Sequence, residues 1–407
     1  MANQAKSYIG IFGRRNNGKS SLVNALTGQE IAIVSEVAGT TTDPVKKAME
    51  MPGIGAVVLI DTAGIDDTGE LGEKRMARAR AVLATVDVAL LVLAGNIFGS
   101  FEKELIAGFE AYDIPYIIVH NKSDIESLRP ETRALLAARC SAAVIDFSAA
   151  HKPETGILLE LIRQHIPESA YLSRSLVGDL ISYGDSVMLI TPIDLEAPEG
   201  RLILPQVQVI RDILDNDGIA VVVKEHEADA CIRRMNPKPA LVITDSQVFL
   251  KADAIVPKDI PLTSFSILLA RQKGDFVNCL LGTPHLSALN DGDRILILES
   301  CTHHVSCDDI GRVKIPRWLS AFSGKKLDFE VVAGLNKLPC DIREFAMVIQ
   351  CGGCMITRKQ IINRLKPAVD AGIPVTNYGM AIAYVHGIYN RAVAPFVKQG
   401  VPSAKDL

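Results

Sequence analysis

The sequence GRRNNGKS, which begins at Gly13, directly follows an apolar stretch at residues 8–12. It has the pattern G-x-x-x-x-G-K-S, which predicts a buried strand, a phosphate-binding loop and a helix in that order. Gly13 and Gly18 allow backbone N–H groups to turn inward around an anion at the N-terminus of the helix. Lys19 can neutralise the β- and γ-phosphates of a nucleotide, and the Ser20 hydroxyl can ligate Mg²⁺. We therefore expect an α/β domain that binds a nucleoside triphosphate.

Three further motifs follow in the order found in GTPases. The sequence DTAG begins at Asp61, which can hold the Mg²⁺ shell, and ends at Gly64, whose N–H can sense the γ-phosphate. The sequence NKSD begins at Asn121, and the carboxylate of Asp124 can accept the N1 and N2 protons of guanine, a pair that adenine lacks. Residues 147–149 fit the last loop, whose backbone contacts the guanine oxygen. The residues expected to contact GTP or GDP are Gly13, Asn16, Gly18, Lys19, Ser20, Ser21, Asn121, Lys122, Asp124, Ser148 and Ala149.

This set of motifs resembles the Era/TrmE-like GTPases, through the segments GRRNNGKSSLVNALTG, AIVSEVAGTTTDPV and DTAGI. The resemblance implies that Asn16 and the loop at 39–42 help to hold a K⁺ ion beside the phosphates, and that Thr42 is a Mg²⁺ ligand. The residue after Gly64 is Ile65, which cannot orient water, whereas Ras-type enzymes have a glutamine there. We therefore expect slow GTP hydrolysis that K⁺ stimulates. The expected catalytic residues are Lys19, Thr42, Asp61 and Gly64.

The charge balance argues against a nucleic-acid partner. Lys plus Arg number 43 and Asp plus Glu number 47, giving a net charge of −4 and no general basic field. Arg14 and Arg15, inside the phosphate loop, are interpreted as solvated charges.

No apolar stretch approaches the roughly 18 residues that a membrane span requires. The first ten residues lack the apolar core of a signal peptide, so we expect a cytoplasmic location and no membrane partner.

A second, smaller α/β module is predicted after a linker at 167–170. Its expected strands are residues 186–191, 219–223 and 241–244, and Pro205 is expected to open a helix. Few titratable residues stand at the ends of these strands. A small module with no evident chemistry favours a role in oligomerisation, and we expect it to form a homodimer.

Five of the eight cysteines crowd into one stretch that begins at Cys301. Cys301 follows a predicted strand at 294–298, and Cys351 and Cys354 follow another at 346–349. Sites in parallel α/β sheets gather at the carboxyl ends of strands. Two such loops could therefore bring three thiolates and a histidine together.

The spacing of these cysteines leaves four interpretations open. An iron–sulfur cluster would use three soft thiolates and a non-cysteine fourth position. A zinc site would add His303 or His304 to the three cysteines. A redox pair would use only Cys351 and Cys354, and leaves Cys301 without a role. Cysteines can also serve as small apolar residues, but two of these flank a pair of glycines, which makes that interpretation the weakest.

Over its whole length the chain resembles the HydF family of [FeFe]-hydrogenase maturation GTPases. That family carries C-x-H, a spacer and H-C-x-x-C. Here Cys301 and His303 are followed by 46 residues, and then Gln350 stands where the family has a histidine. The resemblance implies that Cys301, Cys351 and Cys354 bind a [4Fe–4S] cluster with an exchangeable fourth site, for which His303 is a candidate ligand.

The same resemblance implies that the chain is a scaffold and carrier. Such a protein would receive a diiron precursor, built with two radical-SAM maturases, and pass it to the hydrogenase apo-protein. The GTPase would act as a switch of partner affinity rather than as the source of the chemistry.

We therefore expect an α/β protein with an N-terminal P-loop GTPase domain followed by two smaller α/β domains. The predicted domains are an Era/TrmE-like GTPase domain at 1–167, a dimerisation domain at 168–255 and an iron–sulfur cluster-binding domain at 256–407. The alternative is an RNA-associated, tRNA-modification-like GTPase with a C-terminal zinc site, against which the acidic balance counts.

Overall fold

The computed structural model describes residues 7–27, 45–51, 55–62, 79, 82–150, 155–167, 174–192, 202–300, 309–336, 338–354 and 356–397. The chain divides into two compact units, residues 1–173 and 174–407. Both are α/β, which confirms the predicted fold class of a P-loop domain followed by further α/β sheets. No helix in the described ranges is long and apolar enough to cross a membrane.

The described part of the first unit holds one sheet in the order β2-β3-β1-β4-β5-β6, in which only the β2–β3 pair is antiparallel. Its strands are β1 (Ser7–Gly13), β2 (Val45–Met51), β3 (Gly55–Asp61), β4 (Val88–Leu93), β5 (Tyr116–His120) and β6 (Ala143–Asp146). Its helices are α1 (Lys19–Thr27), α2 (Ser100–Ala111), α3 (Pro130–Arg139) and α4 (Thr155–His165). Every residue of β4 is buried, as expected for a central parallel strand with helices on both faces.

The second unit contains two four-stranded parallel sheets among its described residues, in the orders β10-β9-β7-β8 and β12-β11-β13-β14. The first comprises β7 (Ser186–Ile190), β8 (Ile219–Val223), β9 (Leu241–Thr244) and β10 (Leu262–Ser264). The second comprises β11 (Arg294–Leu298), β12 (Asp328–Val332), β13 (Met347–Gln350) and β14 (Val375–Asn377). The predicted strands of both modules are confirmed, because each was a short apolar run bounded by turn residues.

The helices of the second unit are α5 (Leu204–Asp215), α6 (Ala228–Arg234), α7 (Phe249–Ile255), α8 (Phe265–Lys273), α9 (Phe276–Gly282), α10 (Ile315–Ser323), α11 (Arg358–Asp370), α12 (Tyr378–Val385) and α13 (Tyr389–Val397). Side chains from both sheets share one buried apolar cluster. Strand β10 follows residue 255 yet belongs to the sheet of β9. The division of residues 168–407 into two domains at 255 stays a prediction.

Arg391 joins the last helix to the segment that follows α7. Its guanidinium donates to Asp253 Oδ1 at 2.6 Å and to the carbonyls of Val256, Pro257 and Ile260 at 3.0, 2.5 and 3.2 Å. These four acceptors suit the fixed fork of an arginine, which a lysine could not reproduce. The contact holds the last described helix against the connection between α7 and β10.

Candidate nucleotide site and cysteine site

The phosphate loop leaves β1 through two glycines that no other residue could replace without displacing a neighbour. Gly13 has φ +150° and Gly18 has φ +83°. A Cβ atom on Gly13 would lie 2.4 Å from the carbonyl oxygen of Val92, and one on Gly18 would lie 2.3 Å from Nδ2 of Asn121. The loop is therefore packed tightly against the ends of β4 and β5. The missing side chains at Gly13 and Gly18 allow the backbone this close approach and its positive φ angles.

Lys19 lies across this loop and is 7% exposed. Its ammonium group donates to the carbonyl oxygens of Gly13 at 3.0 Å and Arg14 at 2.8 Å. A phosphate oxygen carries a negative charge and is a stronger acceptor than a carbonyl. The two carbonyl contacts hold the Lys19 ammonium group beside the loop. A bound phosphate would compete with these carbonyl oxygens for its hydrogen bonds.

Arg14 is not the solvated charge that we expected from the sequence. Its Nε and Nη2 atoms donate to the two carboxylate oxygens of Glu102 at 2.7 and 3.0 Å, and the Glu102 side chain is 1% exposed. The same carboxylate accepts from the N–H of Gly99 at the start of α2. The partners are 88 positions apart, so no local pattern pointed to them. Arg15 is exposed, as expected.

Ser20, in the first turn of α1, contacts Asp61 at the end of β3. The Ser20 hydroxyl donates to Asp61 Oδ2 at 2.9 Å, and Asp61 Oδ1 is buried without a hydrogen-bond partner in the described residues. Burial raises the pKa of Asp61, while the Ser20 hydrogen bond and the charges of Lys19 and Lys47 oppose that rise. A hydroxyl beside an unsatisfied carboxylate oxygen is a donor set that suits a hard cation such as Mg²⁺.

The predicted base-binding segments converge at the ends of β5 and β6. Asn121 donates its amide to the carbonyl of Asn17 at 2.9 Å and accepts from the N–H of Ala149 at 3.2 Å. Asp124 Oδ1 accepts from the Ser148 hydroxyl at 2.6 Å. Residues from the phosphate loop, from NKSD and from the last loop are therefore connected by hydrogen bonds.

Asn17 is a residue that the sequence reasoning missed, because it occupies an unspecified position of the motif. Its Nδ2 donates to the carbonyl of Val92 at 2.8 Å, and it is 8% exposed. Asn16, before it, has φ +62° and is exposed, and Ser21 is exposed in the first turn of α1. Lys122 has φ +61°, in the left-handed region.

Four predicted site residues lie outside the described residues: Thr42, Gly64, Cys301 and His303. Their roles stay predictions.

Cys351 stands at the carboxyl end of β13, beside the end of β11. Its N–H donates to the carbonyl of Leu298 at 2.9 Å. Its sulfur accepts from the N–H of Ser300 at 3.1 Å and lies 2.9 Å from the Ser300 hydroxyl. The turn that leads to Cys354 contains Gly353 at φ +68°, where a Cβ atom would lie 2.4 Å from Ile361. The two cysteines are thus held at the sheet edge where the sequence predicted a site.

Two cations border these cysteines. Lys273 donates to the carbonyl of Cys354 at 3.5 Å. Burial lowers the pKa of Lys273, against the influence of Cys354. Burial also lowers the pKa of Arg364, while the charge of a Cys351 thiolate would raise that pKa. Positive charge beside soft thiols, with N–H donors on one sulfur, fits thiolate ligands of an iron–sulfur cluster or a zinc ion.

The remaining described cysteines do not join this site. Cys279 is buried, and burial raises the pKa of its thiol, as befits an apolar core residue. Cys140, Cys231 and Cys340 are half-buried free thiols elsewhere in the chain.

Comparison with known families divides the chain into three matched regions. Residues 8–122 match the model described as "50S ribosome-binding GTPase". Residues 176–274 match the hydrogen maturase F dimerization domain, and residues 277–395 match the hydrogen maturase F tetramerization domain. The first match confirms that the N-terminal domain is a GTPase domain, which supports binding of GTP or GDP with Mg²⁺.

Curated relatives share only a part of the chain. The tRNA modification GTPase MnmE of Paraburkholderia xenovorans is 41% identical over 172 residues, which are 40% of this chain and 36% of that protein. GTPase Der of Wolinella succinogenes is 42% identical over 123 residues, 29% of this chain and 26% of that protein. The chain thus spans only about a quarter to a third of the length of these relatives.

A crystal structure of Aquifex aeolicus Era is 20% identical, covers 54% of this chain and 94% of that chain, and gives a TM-score of 0.36.

The two hydrogen maturase F matches together cover more than half of the 407 residues. The chain therefore belongs to the hydrogen maturase F (HydF) family.

Proposed function

We propose that the chain is a cytoplasmic GTP-hydrolysing scaffold of [FeFe]-hydrogenase maturation. It would hold a [4Fe–4S] cluster and deliver a diiron precursor to apo-hydrogenase. Membership of the HydF family and the GTPase domain support the broader role, a GTPase of hydrogenase maturation. The observation that supports the cluster is the pair Cys351 and Cys354 at the carboxyl end of β13, where the Cys351 sulfur accepts from an N–H group and two half-buried cations lie nearby.

The phosphate loop supports a role for its own residues in GTP hydrolysis. Lys19 would exchange the carbonyl oxygens that it now contacts for phosphate oxygens. Ser20 and Asp61, together with Thr42, would hold Mg²⁺, and Asn16 would contribute to a K⁺ site. When bound, these ions neutralise charge on the phosphates. The N–H of Gly64 would sense the γ-phosphate.

Specificity for guanine would rest on Asp124, which accepts two protons from the base, and on the backbone of Ser148 and Ala149. The Ser148 hydroxyl already holds one oxygen of Asp124. Replacing Asp124 with Asn would put a donor where the base also donates, so GTP affinity should fall sharply. Asn121 and Lys122 would hold this loop against the phosphate loop.

The three thiolates of Cys301, Cys351 and Cys354 would bind the cluster, and they leave one iron without a cysteine. His303 is the candidate for that position, and an exchangeable ligand there would allow the diiron precursor to be received and passed on. The precursor is cargo, so the chain needs to bind it reversibly.

Oligomer formation is supported by the matches to dimerization and tetramerization domains. Strand β8 lies at one edge of its described sheet, and it exposes the apolar side chains of Ile219 and Val222. An exposed apolar edge is a surface that proteins usually cover. A homodimer through this region is our proposal, with apo-hydrogenase and the two radical-SAM maturases as further partners and no nucleic acid.

Anaerobic purification followed by absorption and EPR spectroscopy tests the cluster. We expect a brown protein with an EPR signal after reduction, and Cys351→Ala or Cys354→Ala should each lose the cluster while GTP binding is retained. A colourless protein with one tightly bound zinc would overturn the proposal and favour the zinc alternative. The similarity to MnmE does not by itself favour an RNA-associated function, because it covers 40% of this chain.

A further inference from the structure

The sulfur of Cys351 is surrounded by hydrogen-bond donors from two residues. The backbone N–H of Ser300 lies 3.1 Å from it, the Ser300 hydroxyl 2.9 Å and Nε2 of Gln350 3.4 Å. A thiolate has no proton to give, so in a metal-bound state the Ser300 hydroxyl can only donate. Three donors would then point at a single sulfur.

The orientation of the Gln350 amide follows from its other contacts. Nε2 lies 3.1 Å from the carbonyl oxygen of Cys351 and 3.2 Å from the Ser300 hydroxyl. A carbonyl oxygen only accepts, so the reversed amide would set two oxygens against each other. The NH₂ group therefore faces the sulfur. Gln350 is 3% exposed, and its Oε1 is buried without a partner in the described part of the chain.

We propose that Ser300 and Gln350 are positioning residues that tune the cluster by donating hydrogen bonds to the Cys351 sulfur, and that Gln350 is not itself an iron ligand. The inference rests on the proposed function, since it concerns the cluster of that site. Reduction adds negative charge to a cluster, and part of that charge resides on the cysteine sulfurs. Donors to sulfur stabilise the reduced form more than the oxidised form, and so raise the reduction potential.

Two variants remove the donors singly. Gln350→Met keeps the length and most of the volume of the side chain but has no N–H group. Ser300→Ala removes the hydroxyl and leaves the backbone N–H in place. Ser287→Ala is the matched control, because the hydroxyl of Ser287 contacts that of Tyr384 and neither cysteine sulfur. Each full-length protein is loaded anaerobically with iron and sulfide, and its iron content, EPR spectrum and midpoint potential are measured.

We expect both variants to bind as much iron as the unaltered chain and to have lower midpoint potentials. The shift should correspond to a change of about two- to tenfold in the one-electron reduction equilibrium, where tenfold equals about 59 mV. Ser287→Ala should not shift the potential. Unchanged potentials in both variants would overturn the proposal, as would loss of iron in Gln350→Met with a folded circular dichroism spectrum, because that loss would make Gln350 a ligand.

If the proposed function itself is wrong, the result differs, because the unaltered chain would then bind no iron–sulfur cluster and give no cluster EPR signal. If Gln350→Met fails to fold, the Ser300→Ala potential alone decides: a downward shift supports the donor role, and no shift removes it.

Discussion

The side-chain amide of Asn121 donates a hydrogen bond to the backbone carbonyl of Asn17 at 2.9 Å. This contact joins the base-binding motif directly to the phosphate loop, and the same side chain accepts from the N–H of Ala149. One residue thus connects three segments that come from different parts of the sequence. Nucleotide affinity should depend on it even if it never touches the nucleotide.

Asn121→Ala should weaken binding of GTP and GDP by at least about fivefold, because one buried hydrogen bond of this kind is worth about 1 kcal/mol and the loops also lose their common anchor. Titration with a fluorescent guanine nucleotide measures the change. Asn290→Ala removes an exposed asparagine contact in the second unit and should leave affinity unchanged. Equal effects of the two variants would contradict the anchoring role.

Gly18→Ala should reduce nucleotide affinity by at least about tenfold, because its Cβ atom would meet Asn121 and force that residue away. Gly55→Ala is the control for backbone strain alone. Gly55 also has a positive φ, +91°, but nothing lies within 4 Å of its Cβ position. It should cost about 1 kcal/mol of unfolding free energy and leave affinity intact. Similar affinities for the two variants would show that the clash has no effect.

Glu102→Gln should destabilise the first unit by about 2 kcal/mol and weaken nucleotide binding, because Arg14 of the phosphate loop loses its buried partner. Denaturant unfolding and nucleotide titration give the two values. Glu110→Gln is a matched control, since Glu110 forms the same kind of paired contact with Arg139 but is 48% exposed. That control should change the unfolding free energy by less than about 1 kcal/mol.

Arg391→Met should destabilise the second unit by about 2–4 kcal/mol, because three carbonyl oxygens lose a donor and Asp253 keeps only its contact with Lys258. Arg211→Met, which breaks an exposed ion pair with Asp215, should cost less than about 1 kcal/mol. Denaturant unfolding of both variants measures the difference. A small effect at Arg391 would mean that the C-terminal helix is held chiefly by its apolar face.

Stability should fall as the pH is lowered through 6.5. Burial lowers the pKa of His386 below its ordinary value of 6.5, so the unfolded chain takes up a proton there before the folded chain does. The contribution of His386 is therefore complete above pH 6.5 and is lost as the pH falls through its folded value. His386 packs edge-on against Trp318.

Denaturant unfolding at pH 7.5 and 5.5 tests this dependence. His386→Asn should reduce the difference between the two pH values. His226→Asn, at a site where the ring is 80% exposed, should leave that difference unchanged. An unaltered slope in His386→Asn would assign the dependence to other groups.

Local patterns predicted much of this molecule. The phosphate loop, the strands at 186–191 and 294–298 and the cysteines after β13 were all recognisable, because each depends on neighbours within a few residues. Parallel strands also end at a common edge of the sheet, and this rule alone predicts that Cys351 lies beside the end of β11.

Contacts between distant segments could not be predicted in this way. The partner of Arg14 lies 88 positions along the chain, and nothing near Glu102 distinguishes it from a solvated helix residue. Ser300 contacts Cys351 across 51 positions because β11 and β13 are neighbours in the sheet. Sheet order decides such pairs, and a single sequence does not encode strand order in a local pattern.

The backbone hydrogen bond from Cys351 to Leu298 would affect the energetics of metal uptake at the proposed cluster site. The neighbouring strand immobilises this cysteine when the sheet folds, and Ser300 orients its sulfur in the same step. The conformational entropy of this cysteine is therefore lost during folding and would not be lost again on binding. A metal bound by the proposed site would therefore keep more of its intrinsic affinity for this sulfur than for the sulfur of a cysteine on an unrestrained loop.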